Sequence, residues 1–503
     1  MSTISVSNLT FSYDGSYDNI FENVSFNIDS NWKLGFIGRN GRGKTTFLNL
    51  LMGKYDYKGI IKSDLEFDYF PFEVKNPKLN SYQIAESIIP NFESWKLDCE
   101  VSQLGMNRDI LDREFDTLSK GEQTRVLLAI LFSKDNKFLL IDEPTNHLDM
   151  EAREIVADYL NSKKGFILVS HDRAFLDSCI DHVLSINKSN IEVQKGNFSS
   201  WWENKKRQDN FELNKNEKLK DDINRLEKAA KQTAEWSDKV EKSKHNLRSD
   251  ILQDKGYIGH KAAKMMKRSL VSREHKEKAI EEKSKLLKNI EVAEDLKLNP
   301  STYRSNILIQ ASNLSINYGD ANIFDDVSFN VERGDRVKLD GKNGIGKSSI
   351  IKLILGEHIN HTGDLYAPSD LKISYISQDT SYLKGNLNKF AEENNIDETL
   401  FKSILRKLDF DRSQFDQSID NYSEGQKKKV LISKSLCEKA DLYIWDEPLN
   451  YVDIYSRIQI ENLILNYKPT MIFVEHDKTF ADKIATKKVE IKRNKEIDKN
   501  LHK

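Results

Sequence analysis

Two segments of this 503-residue chain carry glycine and lysine at a spacing that binds phosphate groups. GRNGRGKT occupies residues 38–45 and GKNGIGKS occupies residues 341–348, and both fit the pattern G-x-x-x-x-G-K-[ST]. In this pattern the glycines let backbone N–H groups close around phosphate oxygens, and the following helix N-terminus adds positive potential. The other predicted phosphate-contacting residues of the two loops are Gly38, Asn40, Gly41, Gly43, Thr46, Gly341, Asn343, Gly344, Gly346 and Ser349.

The last two residues of each motif have predicted roles of their own. Lys44 and Lys347 are expected to reach the β- and γ-phosphates of a nucleotide. Thr45 and Ser348 are expected to be ligands of Mg²⁺. Because the motif occurs twice in register, an ordinary glycine turn is a poor explanation of it.

Paired carboxylates follow a strand-like run in each half of the chain. FLLIDE ends at Glu143 and LYIWDE ends at Glu447. The first acid of each pair, Asp142 or Asp446, suits the Mg²⁺ shell, and the second suits a general base that polarises the attacking water. His171 and His476 each follow another β-run and precede an aspartate, which suits a sensor of the γ-phosphate.

The elements that position these residues are repeated at a fixed offset. NVSFNIDSNWKLGFIGRNGRGKTTFLNLL at 23–51 matches DVSFNVERGDRVKLDGKNGIGKSSIIKLI at 326–354. Short β-branched runs such as FILVS and MIFVE alternate with helical patterns, which predicts an α/β fold with a largely parallel sheet in each copy. The predicted domains are 1–200 and 303–503, with a linker over 201–302.

The linker has the composition of a long helical hairpin. Its hydrophobic positions recur with heptad spacing at Leu219, Ile223, Leu226, Ala230, Thr233, Ser237 and Val240. A second helical run over 261–296 follows a break at Gly256 and Gly259, as expected for an antiparallel α-helical hairpin. Residues 241–280 hold eleven Lys or Arg against five acids, so the tip is a candidate contact for a phosphate backbone. A solvated coiled-coil face is the alternative interpretation.

Composition limits the function classes. The net charge of −2 means that any polyanion must bind a local patch rather than the whole surface. Three scattered cysteines argue against a disulfide framework or a zinc site. The chain shows no basic, apolar leader and no membrane-length apolar run, which predicts a cytoplasmic protein without membrane spans.

The ordered motifs together resemble ATP-binding cassette (ABC) ATPases. Besides the motifs above, these are the signature segments SKGEQ (119–123) and SEGQ (423–426), DEP after each acidic strand, and D-loops ending at Asp149 and Asp453. Two cassettes on one chain, joined by a charged helical hairpin, resemble the ABC-F family. The PLNYVD variant at 448–453 and the absence of room for an arm insertion between residues 38 and 119 are similar to the Lsa/Vga resistance group. Residues 1–200 and 303–503 are called the first and second cassette below.

The resemblance implies an ATPase whose two ATP molecules lie head to tail between the cassettes of a monomer. Lys44 would face Ser423 and Gly425, and Lys347 would face Ser119 and Gly121. Tyr13 and Tyr318 lie where the family stacks an aromatic ring on adenine, although each could equally be a core residue. Gln378 matches the glutamine of the family's Q-loop, a further Mg²⁺ contact, whereas Phe72 stands at the same position of the first cassette. The Lys44 site is therefore expected to be catalytically weaker.

The resemblance also implies the partner. An ABC-F protein binds the tRNA exit site of the large ribosomal subunit, contacts 23S rRNA and tRNA through the hairpin, and is released by ATP hydrolysis. The expected function is protection of the ribosome from lincosamide, pleuromutilin or streptogramin A antibiotics, by contact with the drug or by remodelling of rRNA. A housekeeping translation factor is the alternative, and a transporter ATPase or a DNA-repair ATPase is more remote.

Overall fold

The repeated sequence folds into two pairs of β-sheets. The computed structural model describes residues 2–15, 19–135, 137–187, 190–245, 296–318 and 321–492, with five isolated helical positions, namely Lys264, Lys267, Val271, Glu274 and His275. The strands of the first cassette are β1 (Thr3–Phe11), β2 (Phe21–Asp29), β3 (Lys33–Ile37), β4 (Lys58–Lys62), β5 (Glu66–Phe70), β6 (Lys137–Asp142), β7 (Phe166–Val169), β8 (His182–Asn187) and β9 (Asn190–Lys195). Those of the second are β10 (Ile307–Tyr318), β11 (Ala321–Glu332), β12 (Arg336–Asp340), β13 (His361–Tyr366), β14 (Ile373–Ile376), β15 (Leu442–Asp446), β16 (Met471–Val474) and β17 (Lys487–Glu490).

The larger sheet of each cassette is mainly parallel, which confirms the predicted α/β fold. Its strand order is β5-β6-β7-β3-β8-β9 in the first cassette and β14-β15-β16-β12-β17 in the second. Only the β8–β9 pair is antiparallel among the described strand pairs of these sheets. The smaller sheets, β2-β1-β4 and β11-β10-β13, are antiparallel. The apolar runs of β7 and β16 are buried along their whole length, as expected for central parallel strands.

Helices connect the strands and cover the parallel sheets. In the first cassette they are α1 (Lys44–Leu51), α2 (Ser81–Ile88), α3 (Ser94–Gln103), α4 (Lys120–Phe132), α5 (Met150–Ser162) and α6 (Arg173–Cys179). After α7 (Phe198–His245) come α8 (Lys347–Ile354), α9 (Leu387–Glu393), α10 (Glu398–Lys407), α11 (Glu424–Cys437), α12 (Ile454–Tyr467) and α13 (Lys478–Ile484). None of the helices in the described ranges is apolar over a length that could cross a membrane.

The chain divides into two units, Met1–Trp201 with Ala293–Lys503, and Trp202–Val292. The first unit contains both cassettes. It also takes up the last residues of the predicted linker, because Leu296 and Leu298 are buried in the core of the second cassette.

Helix α7 is the described part of the predicted hairpin. It runs without interruption for 48 residues, which corresponds to a length of about 70 Å. Leu219, Ile223 and Leu226 of the predicted seam are half-buried. The rest of the seam's side chains, the basic tip and most of the returning arm lie outside the described residues.

The loops that carry the chemical motifs all leave the same edge of the parallel sheets. In the first cassette β3 ends just before the glycine-rich loop, β6 ends at Asp142, and β7 ends two residues before His171. Because β7 lies between β6 and β3, these three loops are neighbours at the carboxyl edge, where ligands bind in open α/β sheets. Phe47 anchors α1 behind this edge, with its ring 5.5 Å from that of Phe36 and 6.1 Å from that of Phe21.

Candidate nucleotide-binding sites

The two glycine-rich loops hold their lysines in the same way. Lys44 Nζ donates to the backbone oxygen of Gly38 at 2.7 Å, and Lys347 Nζ donates to that of Gly341 at 2.7 Å. Both side chains are buried, and this burial lowers the pKa of both amines. Because a buried ammonium is costly without an anionic partner, both loops are suited to accept phosphate.

The glycine before each lysine has a left-handed backbone. The φ angle is 91° at Gly43 and 93° at Gly346, and both residues lie at the N-terminus of their helix. A Cβ atom at Gly43 would lie 2.5 Å from Cγ2 of Ile20, so a side chain would be both strained and in collision. The corresponding Cβ at Gly346 would lie 3.0 Å from the ring of Phe324. These positions therefore require glycine for the turn itself.

The hydroxyl after each lysine contacts the first carboxylate of the acidic strand. Thr45 Oγ1 donates to Asp142 Oδ2 at 3.0 Å, and Ser348 Oγ donates to Asp446 Oδ2 at 2.8 Å. Among the described residues, no polar atom is hydrogen-bonded to the buried Oδ1 of Asp446. Burial raises the pKa of the Asp446 carboxyl, which indicates that the group is suited to a cationic ligand.

The second carboxylate of each strand is turned out of the sheet by a strained backbone. The φ angle is 51° at Glu143 and 49° at Glu447, although neither residue is a glycine. The backbone N–H of Glu143 donates to the carbonyl of Val169 at 2.9 Å, and that of Glu447 donates to Val474 at 3.0 Å. The neighbouring strand thus holds a conformation that costs about 1–3 kcal/mol elsewhere, as is common at functional sites.

The signature segments form the N-terminal turns of α4 and α11. Ser119 accepts a hydrogen bond from the backbone N–H of Glu122, whose carboxylate accepts from the backbone N–H of Ser119. Ser423 and Gln426 form the same capping box in the second cassette. Each signature therefore presents a capped helix N-terminus, which favours anionic groups.

At the Lys44 site, the signature of the second cassette lies against the glycine-rich loop of the first. Asn40 Nδ2 donates to the carbonyl of Tyr451 at 2.9 Å. A Cβ atom at Gly425 would lie 3.2 Å from Asn40 Nδ2 and 2.4 Å from the carbonyl oxygen of Tyr451. The Tyr451 carbonyl, which belongs to the same cassette as Gly425, excludes a side chain at this position, and the short distance to Asn40 places the second signature against the loop of the first cassette.

The Lys347 site is built in the same way from the opposite partners. Asn343 Nδ2 donates to the carbonyl of His147 at 3.4 Å. A Cβ atom at Gly121 would lie 3.3 Å from the same carbonyl oxygen. His147 and Tyr451 also meet each other, with ring centroids 6.5 Å apart. The head-to-tail pairing of glycine-rich loop and signature is therefore present at both sites.

A cavity of about 990 Å³ occupies the Lys347 site. Both cassettes contribute its walls. The predicted site residues that line it are Ser119, Gly121, Asn343, Gly344, Gly346, Lys347, Ser348, Ser349, Gln378, Glu447 and His476.

Comparison with known proteins identifies the family. The sequence model of the ABC transporter family matches residues 21–146 and 324–450, about half of the chain. The chain belongs to the ATP-binding cassette family. It is an ATPase of this family, and within it the tandem cassettes and the relatives below indicate the ABC-F group.

Relatives match along nearly the whole chain. The ribosome protection protein VmlR of Bacillus subtilis is 28% identical over 487 residues, which cover 93% of this chain and 83% of VmlR. The ATP-binding protein Uup of Buchnera aphidicola is 28% identical over 514 residues, which cover 97% of this chain and 80% of Uup.

Solved structures share the fold. Archaeal ribosome recycling factor aABCE1, in its complex with the ribosomal stalk protein aP1, matches with a TM-score of 0.61 at 19% identity. The match covers 97% of this chain and 88% of the other. A structure described as RNase-L Inhibitor matches with a TM-score of 0.60 at 19% identity, covering 99% and 92% of the two chains.

The two ATP sites of this ABC-F protein differ in how they hold the second carboxylate. Glu447 Oε2 accepts from Gln378 Nε2 at 2.9 Å and from Asn450 Nδ2 at 2.6 Å. His476 Nε2 lies 3.3 Å from Glu447 Oε1. Burial by itself would raise the pKa of Glu447, but His476, Gln378 and the charge of Lys347 lower it to about 2. Glu447 is therefore ionised at neutral pH.

Glu143 has a different environment. Its Oε1 atom lies 3.4 Å from His171 Nε2 and takes part in no hydrogen bond with the described residues. Burial and the charge of Asp142 raise the pKa of Glu143 to about 8, and burial lowers the pKa of His171 well below its usual value. Phe72 lies near this carboxylate in a cavity of about 570 Å³, and its phenyl ring has no group that could donate to it. The difference therefore has more than one cause: His476 and Gln378 lower the pKa of Glu447, whereas Glu143 has neither a hydrogen bond from the Q-loop position nor a comparable contribution from its histidine.

Tyr69 is a further residue of the Lys44 site that the sequence analysis did not predict. Its hydroxyl donates to Asp142 Oδ2 at 2.8 Å, so that Thr45 and Tyr69 share one carboxylate oxygen. Burial raises the pKa of Tyr69, which keeps it protonated as a donor. Alternation along β5 was the available signal, because Tyr69 pairs with Leu140 and therefore lies on the same face of the sheet as Asp142, two residues further along β6.

The predicted adenine-stacking residues are only partly described. The Tyr13 hydroxyl lies 2.8 Å from Thr46 Oγ1, and its ring packs edge-on against Tyr55 at 5.7 Å. Tyr13 is 43% exposed, so its ring is accessible to a base. The side chain of Tyr318 lies outside what the structure describes.

A contact between the cassettes at the Lys44 site was also missed. Arg39 Nη1 lies 3.4 Å from Asp409 Oδ1, and the Arg39 guanidinium lies 5.3 Å from the centre of the Tyr455 ring. At the other site the equivalent loop residue, Lys342, pairs with Glu151 at 2.7 Å on the surface. Arg39 is buried and Lys342 is exposed, so the two glycine-rich loops are attached to their opposite cassettes differently. Sequence spacing cannot show such a contact, since the partners lie 370 residues apart (409 − 39).

Lys429 and Asp453 form a buried ion pair next to the Lys44 site. Lys429 Nζ lies 2.8 Å from Asp453 Oδ2 and also donates to the carbonyl of Leu408 at 2.8 Å. Although burial raises the pKa of the Asp453 carboxyl, the charge and hydrogen bond of Lys429 hold it well below its usual value. The carboxylate also caps α12 by accepting from the backbone N–H of Ser456. The pair therefore connects the signature helix to the D-loop.

Replacing Lys429 with methionine is expected to lower the free energy of unfolding of the second cassette by about 3–5 kcal/mol. The reason is that Asp453 would remain buried without its cationic partner. Urea denaturation followed by tryptophan fluorescence measures the change. Lys434→Met on the same helix is the control, because its more accessible pair with Glu438 is worth at most about 1 kcal/mol. Equal losses in the two variants would contradict the assignment.

Proposed function

We propose that this ABC-F ATPase binds the ribosome and protects it from antibiotics that act at the peptidyl-transferase centre. ATP bound between the cassettes permits binding at the tRNA exit site, and hydrolysis releases the protein. The observation that carries the proposal is the pairing of each glycine-rich loop with the opposite signature in one chain, because such sites close only when the cassettes associate. The name of VmlR, a ribosome protection protein that matches 93% of this chain, supports the choice of partner.

The geometry suits Mg²⁺ in both sites. Thr45 with Asp142, and Ser348 with Asp446, would hold the ion together with phosphate oxygens, and Gln378 lies close to the second pair. The buried Asp446 Oδ1 atom, which has no hydrogen-bond partner among the described residues, supports this assignment. No cluster of three or more acidic, His or Cys residues suited to a metal is present in the described ranges. An ion held by one carboxylate, a hydroxyl and the nucleotide does not require such a cluster. When bound, Mg²⁺ would neutralise charge on the phosphates.

The side chains of the protein would bind the phosphates, activate the attacking water and sense the γ-phosphate. Lys347 would neutralise the β- and γ-phosphates, and Ser119 and Gly121 would complete the site from the opposite cassette. Glu447, ionised, oriented by the Gln378 and Asn450 amides and 3.3 Å from His476 Nε2, would accept the proton of the attacking water. His476, within reach of Glu447, would sense the γ-phosphate. Lys44, Ser423 and Gly425 would bind the second ATP, with Glu143 and His171 in the corresponding places.

The linker supplies the contact with the ribosome in this proposal. Helix α7 is long enough to reach about 70 Å along its own axis, which a nucleotide-binding domain alone does not need. The basic residues over 241–280 would contact phosphates of 23S rRNA or tRNA. In this proposal the protein acts in the cytoplasm as a monomer.

A housekeeping translation factor is the second candidate. The similarity to Uup, an ATP-binding protein whose name carries no resistance function, favours it. Against it stands the nearly equal spacing between loop and signature in the two cassettes, 81 residues from Gly38 to Ser119 and 82 from Gly341 to Ser423, which leaves no room for an arm insertion in the first cassette.

Drug susceptibility separates the two candidates. Expression of the chain in a susceptible bacterium is expected to raise the minimal inhibitory concentration of lincomycin, tiamulin or virginiamycin M at least about fourfold, which corresponds to about 0.8 kcal/mol of weakened drug binding. The control is Lys44→Ala with Lys347→Ala, which should remove the shift because ATP binding is lost. An unchanged inhibitory concentration for all three drugs would contradict the resistance function and favour the translation factor.

A further inference from the structure

Lys428 is a buried lysine that the nucleotide motifs do not explain. It follows the second signature on α11, is 2% exposed, and lines the cavity of the Lys347 site. Its Nζ atom donates to the carbonyl oxygen of Ser377 at 2.9 Å. Burial lowers the pKa of Lys428, and the nearby Glu447, Glu475, Asp446 and Glu424 oppose that shift. The side chain thus crosses from the signature helix to the Q-loop.

The Ser377 carbonyl immediately precedes the residue that orients the catalytic carboxylate. Gln378 Nε2 donates to Glu447 Oε2 at 2.9 Å. Holding the backbone at position 377 therefore limits the positions that the Gln378 amide can take. A second hydrogen bond connects the same two elements: the Thr380 hydroxyl donates to the carboxylate of Glu424, the residue after the signature serine. Two contacts from α11 thus fix the segment 377–380.

Helix α11 also contributes residues to the Lys44 site. Its first turn carries Ser423 and Gly425, and Gly425 lies against Asn40 of the Lys44 site. One helix therefore contacts the Q-loop of the Lys347 site through Lys428 and the opposite glycine-rich loop through Gly425. If the segment 377–380 moves, the signature at the Lys44 site must move as well. The reason is that Lys428 is buried and that its contact with Ser377 and the contact of Gly425 with Asn40 are both short.

The first cassette is built differently at each of these positions. Thr124 stands where the second cassette has Lys428, and its hydroxyl donates to the carbonyl of Lys120 within its own helix at 2.9 Å. Lys120, in the place of Glu424, donates to Gln123 Oε1 on the same helix at 3.2 Å. Phe72 stands in the place of Gln378 and cannot donate to Glu143. The Thr124 and Lys120 side chains thus make these hydrogen bonds within α4 and not with the loop that carries Phe72.

We propose that Lys428 is a positioning residue for ATP hydrolysis at the Lys347 site, and that it acts by holding Gln378 against Glu447. Through the same helix it couples that site to closure of the Lys44 site, and the first cassette has no equivalent coupling among its described residues. This inference rests on the proposed roles of Glu447 and Gln378. Glu447→Gln tests those roles separately, because it removes the carboxylate while leaving the Lys428 contact in place.

The test compares steady-state ATP hydrolysis by the purified full chain and its variants. Lys428→Met is expected to lower kcat about 10- to 100-fold with KM changed less than about threefold, because misplacing a catalytic group by about 1 Å has effects of this size. Gln378→Ala should lower kcat similarly, and the double variant should be no slower than Gln378→Ala alone. Lys434→Met on the same helix is the control and should retain kcat within about twofold.

Three results would overturn the proposal: multiplicative effects in the double variant, an unchanged kcat in Lys428→Met, or an equal loss in the first-cassette variant Thr124→Val. If Lys428→Met is unstable in thermal denaturation, Thr380→Val replaces it, since it removes the second hydrogen bond with little change in volume. That variant should also lower kcat and be non-additive with Gln378→Ala. If Glu447→Gln retains turnover, the proposed role of Glu447 is wrong. If Glu447→Gln loses turnover but Lys428→Met does not, only the positioning role of Lys428 is wrong.

Discussion

Replacing Glu447 with glutamine is expected to lower ATP turnover at least about 100-fold, because a general base contributes roughly 10²–10⁴ to the rate. Glutamine has nearly the same shape but cannot accept a proton from water. The wild-type carboxylate is ionised at neutral pH, since His476, Gln378 and Lys347 lower its pKa to about 2. A 100-fold loss corresponds to about 2.7 kcal/mol of transition-state stabilisation. Phosphate release by the purified protein measures it.

The same change at Glu143 is expected to lower turnover less than about threefold. Burial and Asp142 raise the pKa of Glu143 to about 8, so most of this carboxyl is protonated at pH 7 and is a poor base there. Glu398→Gln, an exposed residue paired with Lys402, is the control for both variants and should keep the full rate. Equal losses from Glu143→Gln and Glu447→Gln would show that the two sites hydrolyse ATP alike, and the asymmetry would then be wrong.

Combining Glu143→Gln with Glu447→Gln is expected to trap the protein on ribosomes in the presence of ATP. Both sites would still bind ATP, because the lysines and signatures remain, but neither could hydrolyse it and release the closed cassettes. After centrifugation through sucrose with ATP, the variant should be enriched in the ribosome pellet at least about tenfold over wild type, which requires only 1.4 kcal/mol of differential binding.

Two matched samples make this result specific. The double variant with ADP in place of ATP should stay in the supernatant, as should Lys44→Ala with Lys347→Ala in ATP. If the Glu→Gln double variant remains in the supernatant with ATP, the ribosomal function is wrong, whatever its ATPase rate. If all samples pellet alike, binding does not depend on cassette closure and the nucleotide-gated part of the proposal fails.

The local motifs were the most predictable part of this protein. A glycine-rich loop, a strand ending in two acids and a serine-capped helix are each specified by residues close together in the chain, so Lys44, Asp142 and Ser119 could be assigned to their elements from spacing alone. The fixed repeat offset then predicted two similar α/β domains, and the sheets β5-β6-β7-β3-β8-β9 and β14-β15-β16-β12-β17 have the expected parallel arrangement.

The difference between the two sites was only partly visible. Phe72 at the Q-loop position indicated a weaker Lys44 site. The extent of that difference depends on burial and on partners that are distant in sequence, since Glu143 and Glu447 both stand between an aspartate and a proline but their pKa values are raised to about 8 and lowered to about 2. Desolvation and charge proximity are properties of the folded arrangement and have no local signature.

The sequence alone therefore determined the family and the repeat and predicted the residues that would contact the nucleotide, because these follow from short motifs with a fixed backbone geometry. Only the tertiary structure decided how the cassettes contact each other and how their sites are connected. The Arg39–Asp409 contact, the Lys428–Ser377 hydrogen bond and the approach of Gly425 to Asn40 each join residues more than fifty positions apart. Such pairs are selected by packing and by the need to satisfy buried charge, and these requirements exist only after the chain has folded.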